Sequence, residues 1–132
     1  MHSSDQGKED VIHRKVSAGE IRIVRITTDG TATVESVQRS GEVYRGIVGG
    51  WIERVTLPAP FGALYLNEEG KLSGLAPNPV AERVLLGAGA NLLPGDYLTG
   101  NAFFVGPVND AGSDTDVTSA LLDLLGRLAV KL

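Results

Sequence analysis

The chain has 132 residues and no cysteine, and its 12 basic and 16 acidic residues give a formal net charge of −4. This length suits a single domain, and a hydrophobic share of 42% is enough to bury a core. Without cysteine, disulfides, thiolate metal sites and cysteine nucleophiles are excluded. Both histidines, His2 and His13, lie in the polar N-terminal stretch, which disfavours histidine-based metal sites and Ser-His catalysis.

The excess negative charge lies in residues 67–132, which carry four basic and eight acidic residues. A chain with this balance and no basic run is not expected to bind nucleic acid in general. No apolar segment approaches the length that spans a bilayer, and the polar N-terminus does not resemble a signal peptide. We therefore expect a cytoplasmic protein without membrane contact.

Residues 1–18 are polar and aperiodic, which predicts a mobile leader before a single domain over residues 19–132. The β-branched run of residues 21–26 predicts a first strand. The Asp-Gly turn within residues 28–30 then predicts a hairpin onto a second strand at residues 31–37.

Ser40 is a suitable N-cap for a short helix over residues 42–48, which the following Gly-Gly pair ends. Two strands are predicted next, over residues 51–57 and 63–66, and we expect them to pair.

Asn78 before a proline predicts a second helix start, with the helix continuing over residues 80–86. The longest strand candidate covers residues 97–105. Asp116 is then expected to cap a leucine-rich amphipathic helix. The order ββαββαβα favours an α+β domain, with a mainly antiparallel sheet of about five strands and the helices on one face.

Three blocks carry a family resemblance: Gly49 to Glu53, Leu64 to Leu75 with the later Asn78-Pro79, and Gly95 to Gly106 with its Gly-Asp and Gly-Asn pairs. Over residues 21–116 the chain resembles the uncharacterised family called domain of unknown function 3846. The resemblance implies a small bacterial or phage protein and brings no activity, cofactor or catalytic residue. The leader and the last helix lie outside the recognised pattern.

Glu53 is a candidate site residue because strand alternation places it on one face with Trp51, Val55 and Leu57. A carboxylate among apolar neighbours is costly unless it is paired or hydrogen-bonded, and such costs are common at functional sites. The structural alternative is a position at the sheet edge, or an ion pair with Arg22 or Arg25.

The turn Asn67-Glu68-Glu69-Gly70 is a second candidate. The residue preferences of tight turns explain why Asn67 and Gly70 occur here. They do not explain the two consecutive glutamates between them. Glu68 is therefore a candidate acceptor for a ligand amine or hydroxyl, or for backbone amides near Asn78, and a solvated turn is the structural alternative.

Thr99 and Asn101 interrupt an apolar row if residues 97–105 form one strand, since Tyr97, Phe103 and Val105 then share their face. Of the two, Asn101 is the candidate site residue. We expect either a satisfied buried amide or part of a polar pocket floor. Gly100 beside it would permit close approach of a ligand or of another backbone segment.

The favoured hypothesis is a non-enzymatic module that binds a small ligand, for instance a nucleotide-like molecule, or blocks a partner protein. The alternative is a carboxylate-dependent enzyme with Glu53 and Glu68 as acid and base. No cofactor or metal is expected, because the acidic residues of the loop at 109–116 lack the spacing of a calcium loop. The predicted ligand-binding residues are Trp51, Glu53, Tyr65, Asn67, Glu68, Asn78 and Asn101.

The sequence of the last helix also predicts that the protein forms a homodimer. Its leucines extend around more than one side, so we expect Leu122 and its neighbours to form a homodimer contact across a two-fold axis. The alternative is a monomer in which Val11 and Ile12 of the leader cover this surface.

Overall fold

A computed structural model describes residues 19–132, and the predicted leader lies outside the described residues. Within them, the element order ββαββαβα and the α+β class are confirmed. The elements are β1 (Glu20–Ile26), β2 (Ala32–Gln38), α1 (Gly41–Val48), β3 (Ile52–Thr56), β4 (Ala63–Asn67), α2 (Pro79–Gly87), β5 (Ala102–Val105) and α3 (Ser119–Arg127).

The five strands form one sheet in the order β2-β1-β5-β4-β3, and every neighbouring pair is antiparallel. The predicted β1–β2 hairpin and the predicted pairing of β3 with β4 are both confirmed. Strand β5 is central, and all four of its residues are buried. The edge strands β2 and β3 lie far apart in the sheet, so any surface beside β3 is built without the first hairpin.

The expectation that the helices lie on one face of the sheet is wrong. Helices α2 and α3 pack on the face that includes Val24, Leu66 and Phe104, whereas α1 packs on the face that includes Tyr65 and Phe103. The reason lies in β5, because Phe103 and Phe104 point to opposite faces and neither is accessible to solvent. Two apolar faces require cover on both sides. We call them the α2/α3 face and the α1 face.

The positions of the first two helices were predicted correctly from their capping residues. The Ser40 hydroxyl accepts a hydrogen bond of 3.2 Å from the amide of Val43, and Gly49 ends α1 with φ at 80°. The Asn78 side chain accepts one of 3.1 Å from the amide of Ala81 at the start of α2. Both N-caps are therefore confirmed.

The prediction of one long strand over residues 97–105 is wrong, because only Ala102–Val105 is a strand. Gly100 has φ at 80° and donates its amide to the carbonyl of Ala76 at 2.8 Å. A Cβ at this position would lie 2.8 Å from Leu75. The chain turns at Gly100, so strand alternation does not extend back to Tyr97 and Thr99.

The predicted cap of the last helix is also wrong. Thr118 caps α3, and its hydroxyl accepts a hydrogen bond of 3.2 Å from the amide of Leu121. Asp116 instead binds Arg22 of β1, accepting 2.8 Å hydrogen bonds from its backbone amide and from its guanidinium. The ion pair fastens the segment before α3 to the sheet.

Leu122 is partly buried and packs against the core of the α2/α3 face, and Val130 is buried as well. Leu132, 57% exposed, is the large apolar residue left at this end of the chain. The surface available for a dimer contact is thus narrower than the sequence suggests, and the homodimer stays a prediction. None of the helices in residues 19–132 has the length and apolar character needed to cross a membrane.

Candidate functional site

A cavity of about 350 Å³ opens on the α2/α3 face beside the edge strand β3. Its walls come from β3, from the end of β4 with the turn that follows, from α2, and from the segment at residues 92–99. Leucine and valine side chains supply its apolar surface, namely Val55, Leu66, Leu72, Leu85, Leu92 and Leu98. A concave apolar surface with a few polar groups is the usual form of a small-ligand site.

Four carboxylates and one ammonium group line the same space, and we call it the acidic cavity. The charged residues are Glu53, Glu68, Glu69, Lys71 and Asp96. The first three are exposed, and within residues 19–132 their side chains form no hydrogen bond or ion pair. The local charge is therefore strongly negative, with three carboxylates whose interactions are left to water or to a ligand.

Glu53 lies at the β3 edge, opposite Leu66 of β4, and shares a face with Val55 as the alternation predicts. The alternative of an ion pair with Arg22 or Arg25 does not apply, because these arginines pair with Asp116 and Glu35. Glu53 is thus an edge carboxylate that faces the cavity.

Asn67 holds the turn that carries the two glutamates. Its side-chain oxygen accepts a hydrogen bond of 2.8 Å from the amide of Glu69, and its side-chain amide donates one of 3.3 Å to the carbonyl of Val48. The amide of Glu68 donates to the carbonyl of Trp51 at 2.8 Å. The turn is therefore fixed to both α1 and β3, although Asn67 itself is 6% exposed and acts as a positioning residue.

Among residues 19–132, Lys71 is the one lysine on the cavity wall, and it contacts the carboxylate of Asp96. Its Nζ also lies 4.8 Å from the centre of the Tyr97 ring, which is a cation–π distance. The backbone amide of Tyr97 donates a hydrogen bond of 2.8 Å to Asp96, so the carboxylate is held next to the Tyr97 backbone without the lysine.

Thr99, a residue that is almost fully buried, adds a hydroxyl to the cavity wall. The residue is 3% exposed, and its hydroxyl forms no hydrogen bond with any group in residues 19–132. Its Oγ1 lies close to Gly70, where an added Cβ would approach it to 2.2 Å. Glycine at position 70 therefore leaves room for this hydroxyl at the cavity wall.

The other predicted site residues lie elsewhere. Asn78 is 1% exposed, and its side-chain amide donates 2.9 Å hydrogen bonds to the carbonyls of Ile26 and Gly100. Trp51 is 66% exposed, with the Arg45 guanidinium 5.3 Å above its ring. These contacts give both residues a place in the fold outside the acidic cavity.

Asn101 borders a second, smaller pocket of about 300 Å³ near the C-terminal end of α1. Its side-chain oxygen accepts a hydrogen bond of 3.1 Å from the amide of Thr28. The turn at Gly100 separates it from Thr99, which lines the acidic cavity. Glu53 and Asn101 therefore belong to different pockets.

Tyr65 lies on the α1 face in a cluster that the sequence did not indicate. Its hydroxyl and that of Tyr44 donate hydrogen bonds of 2.7 and 3.0 Å to the carboxylate of Asp114, which is 7% exposed. The guanidinium of Arg54 lies 3.5 Å from the same carboxylate. Burial, followed by the hydrogen bond to Asp114, raises the pKa of Tyr65 to about 12, and burial with the charge of Asp114 also raises the pKa of Tyr44.

Sequence reasoning thus found Glu53, Asn67 and Glu68 at the cavity, noted Thr99 only as an interruption of an apolar row, and missed Lys71 and Asp96. The missed residues belong to two segments that are distant in sequence, and turn signals around residues 94–96 were the only local indication of one of them. Their proximity arises from the tertiary fold.

Fold and cavity together define a small α+β protein with an acidic, solvent-open cavity at the edge of an antiparallel sheet. The family model described as domain of unknown function (DUF3846) matches residues 21–129 of the 132-residue chain. The chain therefore belongs to this family. The match confirms the resemblance and extends beyond residue 116 through α3. No curated protein and no solved structure matches the chain.

Proposed function

We propose that the chain is a non-enzymatic binding module that takes a small organic cation into the acidic cavity. The observation that carries this proposal is the set of three carboxylates, Glu53, Glu68 and Glu69, which have no partner within residues 19–132 and border an apolar cavity surface. A cationic group would supply the counter-charge that the protein does not provide.

The negative charge of the cavity limits the classes of ligand that can bind there. Within residues 19–132, the four carboxylates and the one ammonium group on the cavity wall give it a net charge of −3. A phosphate group would meet repulsion there, so the nucleotide-like ligand considered from the sequence is disfavoured. Solvent screening at these exposed glutamates keeps each charge–charge interaction to about 1 kcal/mol or less, and repulsion has the same size as attraction.

An organic cation fits better than a metal ion. Within residues 19–132, no three acidic or histidine side chains are grouped so that they would hold a metal ion. The carboxylates are instead distributed around side chains such as Leu66 and Leu98. A ligand with one positive charge and an apolar body would use both kinds of surface.

The proposal is tested by isothermal titration calorimetry with phenethylamine and 3-phenylpropanoate, which share a phenyl ring and a short chain and have opposite charges. We expect binding of phenethylamine only. Replacing both glutamates, Glu53→Gln with Glu68→Gln, should weaken binding about tenfold, since two partly exposed charge contacts are removed. Glu42→Gln is the matched control, because Glu42 is exposed in the first turn of α1 on the other side of the sheet.

Two results would overturn the proposal. One is equal affinity for the carboxylate and the amine. The other is an unchanged dissociation constant in the double variant, with circular dichroism showing that it is folded.

A second candidate function is a carboxylate-dependent enzyme. The observation that supports it is that Glu53 and Glu68 line the same cavity. Acid–base pairs of this kind work when their surroundings differ, and here both glutamates are exposed. We therefore favour binding. Hydrolysis of a p-nitrophenyl glycoside that is abolished by either Glu53→Gln or Glu68→Gln would establish the enzyme instead.

A further inference from the structure

Lys71 places the protein's own ammonium group against Asp96 and beside the ring of Tyr97, on the wall of the acidic cavity. We propose that Asp96 and Tyr97 form a subsite for an aliphatic primary amine, which Lys71 occupies in the free protein and from which the ligand displaces it. This inference rests on the proposed function and names the chemical class of its ligand.

The subsite is organised without Lys71. The amide of Tyr97 donates to the Asp96 carboxylate at 2.8 Å, and the amide of Asp96 donates to the carbonyl of Leu93 at 2.9 Å. These bonds hold the Asp96 carboxylate and the backbone of Tyr97 in place when the lysine leaves. A carboxylate beside an aromatic face is a combination that recognises ammonium groups.

Lys71 is held weakly enough to be displaced. Its side chain is 46% exposed and that of Asp96 is 33% exposed, so water competes for both charges. Ion pairs at such positions contribute little to stability, and the long lysine side chain regains rotamer freedom when it is released. A ligand amine therefore replaces one ammonium by another at small cost, and its apolar stem gains contact with the cavity.

Thr99 is the second, independent observation that points to a ligand. Its hydroxyl lines the cavity in a residue that is 97% buried, given its exposure of 3%, and it has no hydrogen-bond partner within residues 19–132. The residue is fixed by a β-bridge to Pro77. The hydroxyl is thus reached from the cavity and is available to a ligand that enters it.

The affinity test uses n-pentylamine, whose stem and ammonium group resemble a lysine side chain. Titration calorimetry at low salt compares the wild type with Lys71→Gln and Asp96→Asn. We expect Lys71→Gln to tighten binding about fivefold, the factor that corresponds to a surface ion pair of about 1 kcal/mol, and Asp96→Asn to weaken it by a similar factor. Lys131→Gln is the matched control, because it removes the same charge at an exposed position near the C-terminus.

A second measurement follows the displacement directly. In protein with 13C-labelled lysine, the Lys71 ε-methylene signal, assigned by its loss in Lys71→Gln, should move toward the position of a free lysine as n-pentylamine is added. The Lys131 signal should stay in place.

The outcomes separate this inference from the proposed function. If Glu53→Gln with Glu68→Gln weakens phenethylamine binding, while Lys71→Gln and Asp96→Asn bind n-pentylamine like the wild type, the subsite is wrong and the cation-binding cavity stands. An unmoved Lys71 signal at saturation also contradicts the subsite. If neither amine binds the wild type or Lys71→Gln, both proposals fail.

Discussion

The hydroxyl of Tyr65 donates a hydrogen bond of 2.7 Å to the carboxylate of Asp114, a residue of the loop between β5 and α3. Tyr44 of α1 donates to the same oxygen at 3.0 Å, and Arg39 after β2 donates to the Asp114 carbonyl at 3.1 Å. One aspartate thus joins a strand, a helix and two loops on the α1 face. It stabilises the fold at a distance from the acidic cavity.

Asp114→Ala should lower the free energy of unfolding by about 3 kcal/mol, because it leaves two buried tyrosine hydroxyls without their acceptor. Urea denaturation followed by circular dichroism measures this loss. Asp110→Ala is the matched control, since Asp110 is exposed in the same loop and should change stability by less than about 0.5 kcal/mol. Similar stabilities for the two variants would show that the buried cluster contributes nothing.

The parts of this architecture that follow from the sequence are those set by neighbouring residues. The caps at Ser40 and Asn78 and the first hairpin depend on side chains within a few positions, and all three were predicted. Asp114 was not recognised, because its partners come from elements far away in the chain. Gly100 was assigned to a strand, because its positive φ accompanies a hydrogen bond from its amide to Ala76, which lies far away in the chain.

The candidate site divides in the same way. Glu53 and Glu68 were found because strand alternation and turn chemistry left a carboxylate unexplained at each position. Asp96 and Thr99 join them only after the segment before β5 folds against the turn at residues 67–70. No local rule connects these two segments, so the sequence identifies carboxylates only on the side of the cavity formed by β3 and the turn at residues 67–70.

Stability should fall at alkaline pH as the buried tyrosines ionise. The pKa of Tyr65 is raised from 10.0 to about 12 in the folded protein, and that of Tyr44 is also raised. Since the unfolded chain releases these protons first, the stability they contribute is complete below about pH 10 and is lost as the pH rises toward about 12. Urea denaturation at a series of pH values, in the wild type and in Tyr65→Phe, measures this effect.

The loss between these pH values should be smaller in Tyr65→Phe than in the wild type, because one of the titrating groups is gone. Tyr97→Phe is the matched control, because Tyr97 is 45% exposed and lies outside the Asp114 cluster. An equal alkaline loss in Tyr65→Phe and the wild type would argue against a buried, protonated Tyr65.

Gly62 is required by a close approach between two backbone segments at the start of β4. Its φ is 93°, and a Cβ there would lie 2.1 Å from the carbonyl oxygen of Val105. We expect Gly62→Ala to cost at least about 3 kcal/mol, from an unfavourable backbone conformation together with overpacking. Gly112→Ala is the control, since Gly112 has φ at 78° and open space, and it should cost about 1 kcal/mol from the backbone alone. Equal losses in thermal or urea unfolding would remove the steric argument.

Asn78 should prove to be a structural residue, although the sequence also made it a candidate for ligand binding. Its side-chain oxygen caps α2, while its side-chain amide donates to the carbonyls of Ile26 and Gly100 at 2.9 Å each. Asn78→Asp keeps an N-cap acceptor and replaces the donor by an oxygen that faces two carbonyls. The expected loss is about 3 kcal/mol in urea denaturation, since one oxygen of a buried carboxylate then faces two carbonyl oxygens without a donor.

Ser40→Asp is the matched control for this variant. It also places an aspartate at an N-cap, but at an exposed position, so it should change stability by less than about 0.5 kcal/mol. Folded Asn78→Asp should still bind n-pentylamine with the affinity of the wild type, because its side chain lies outside the acidic cavity. An Asn78→Asp variant as stable as the wild type would contradict the structural role. If that variant also bound n-pentylamine more weakly, Asn78 would be a ligand-binding residue.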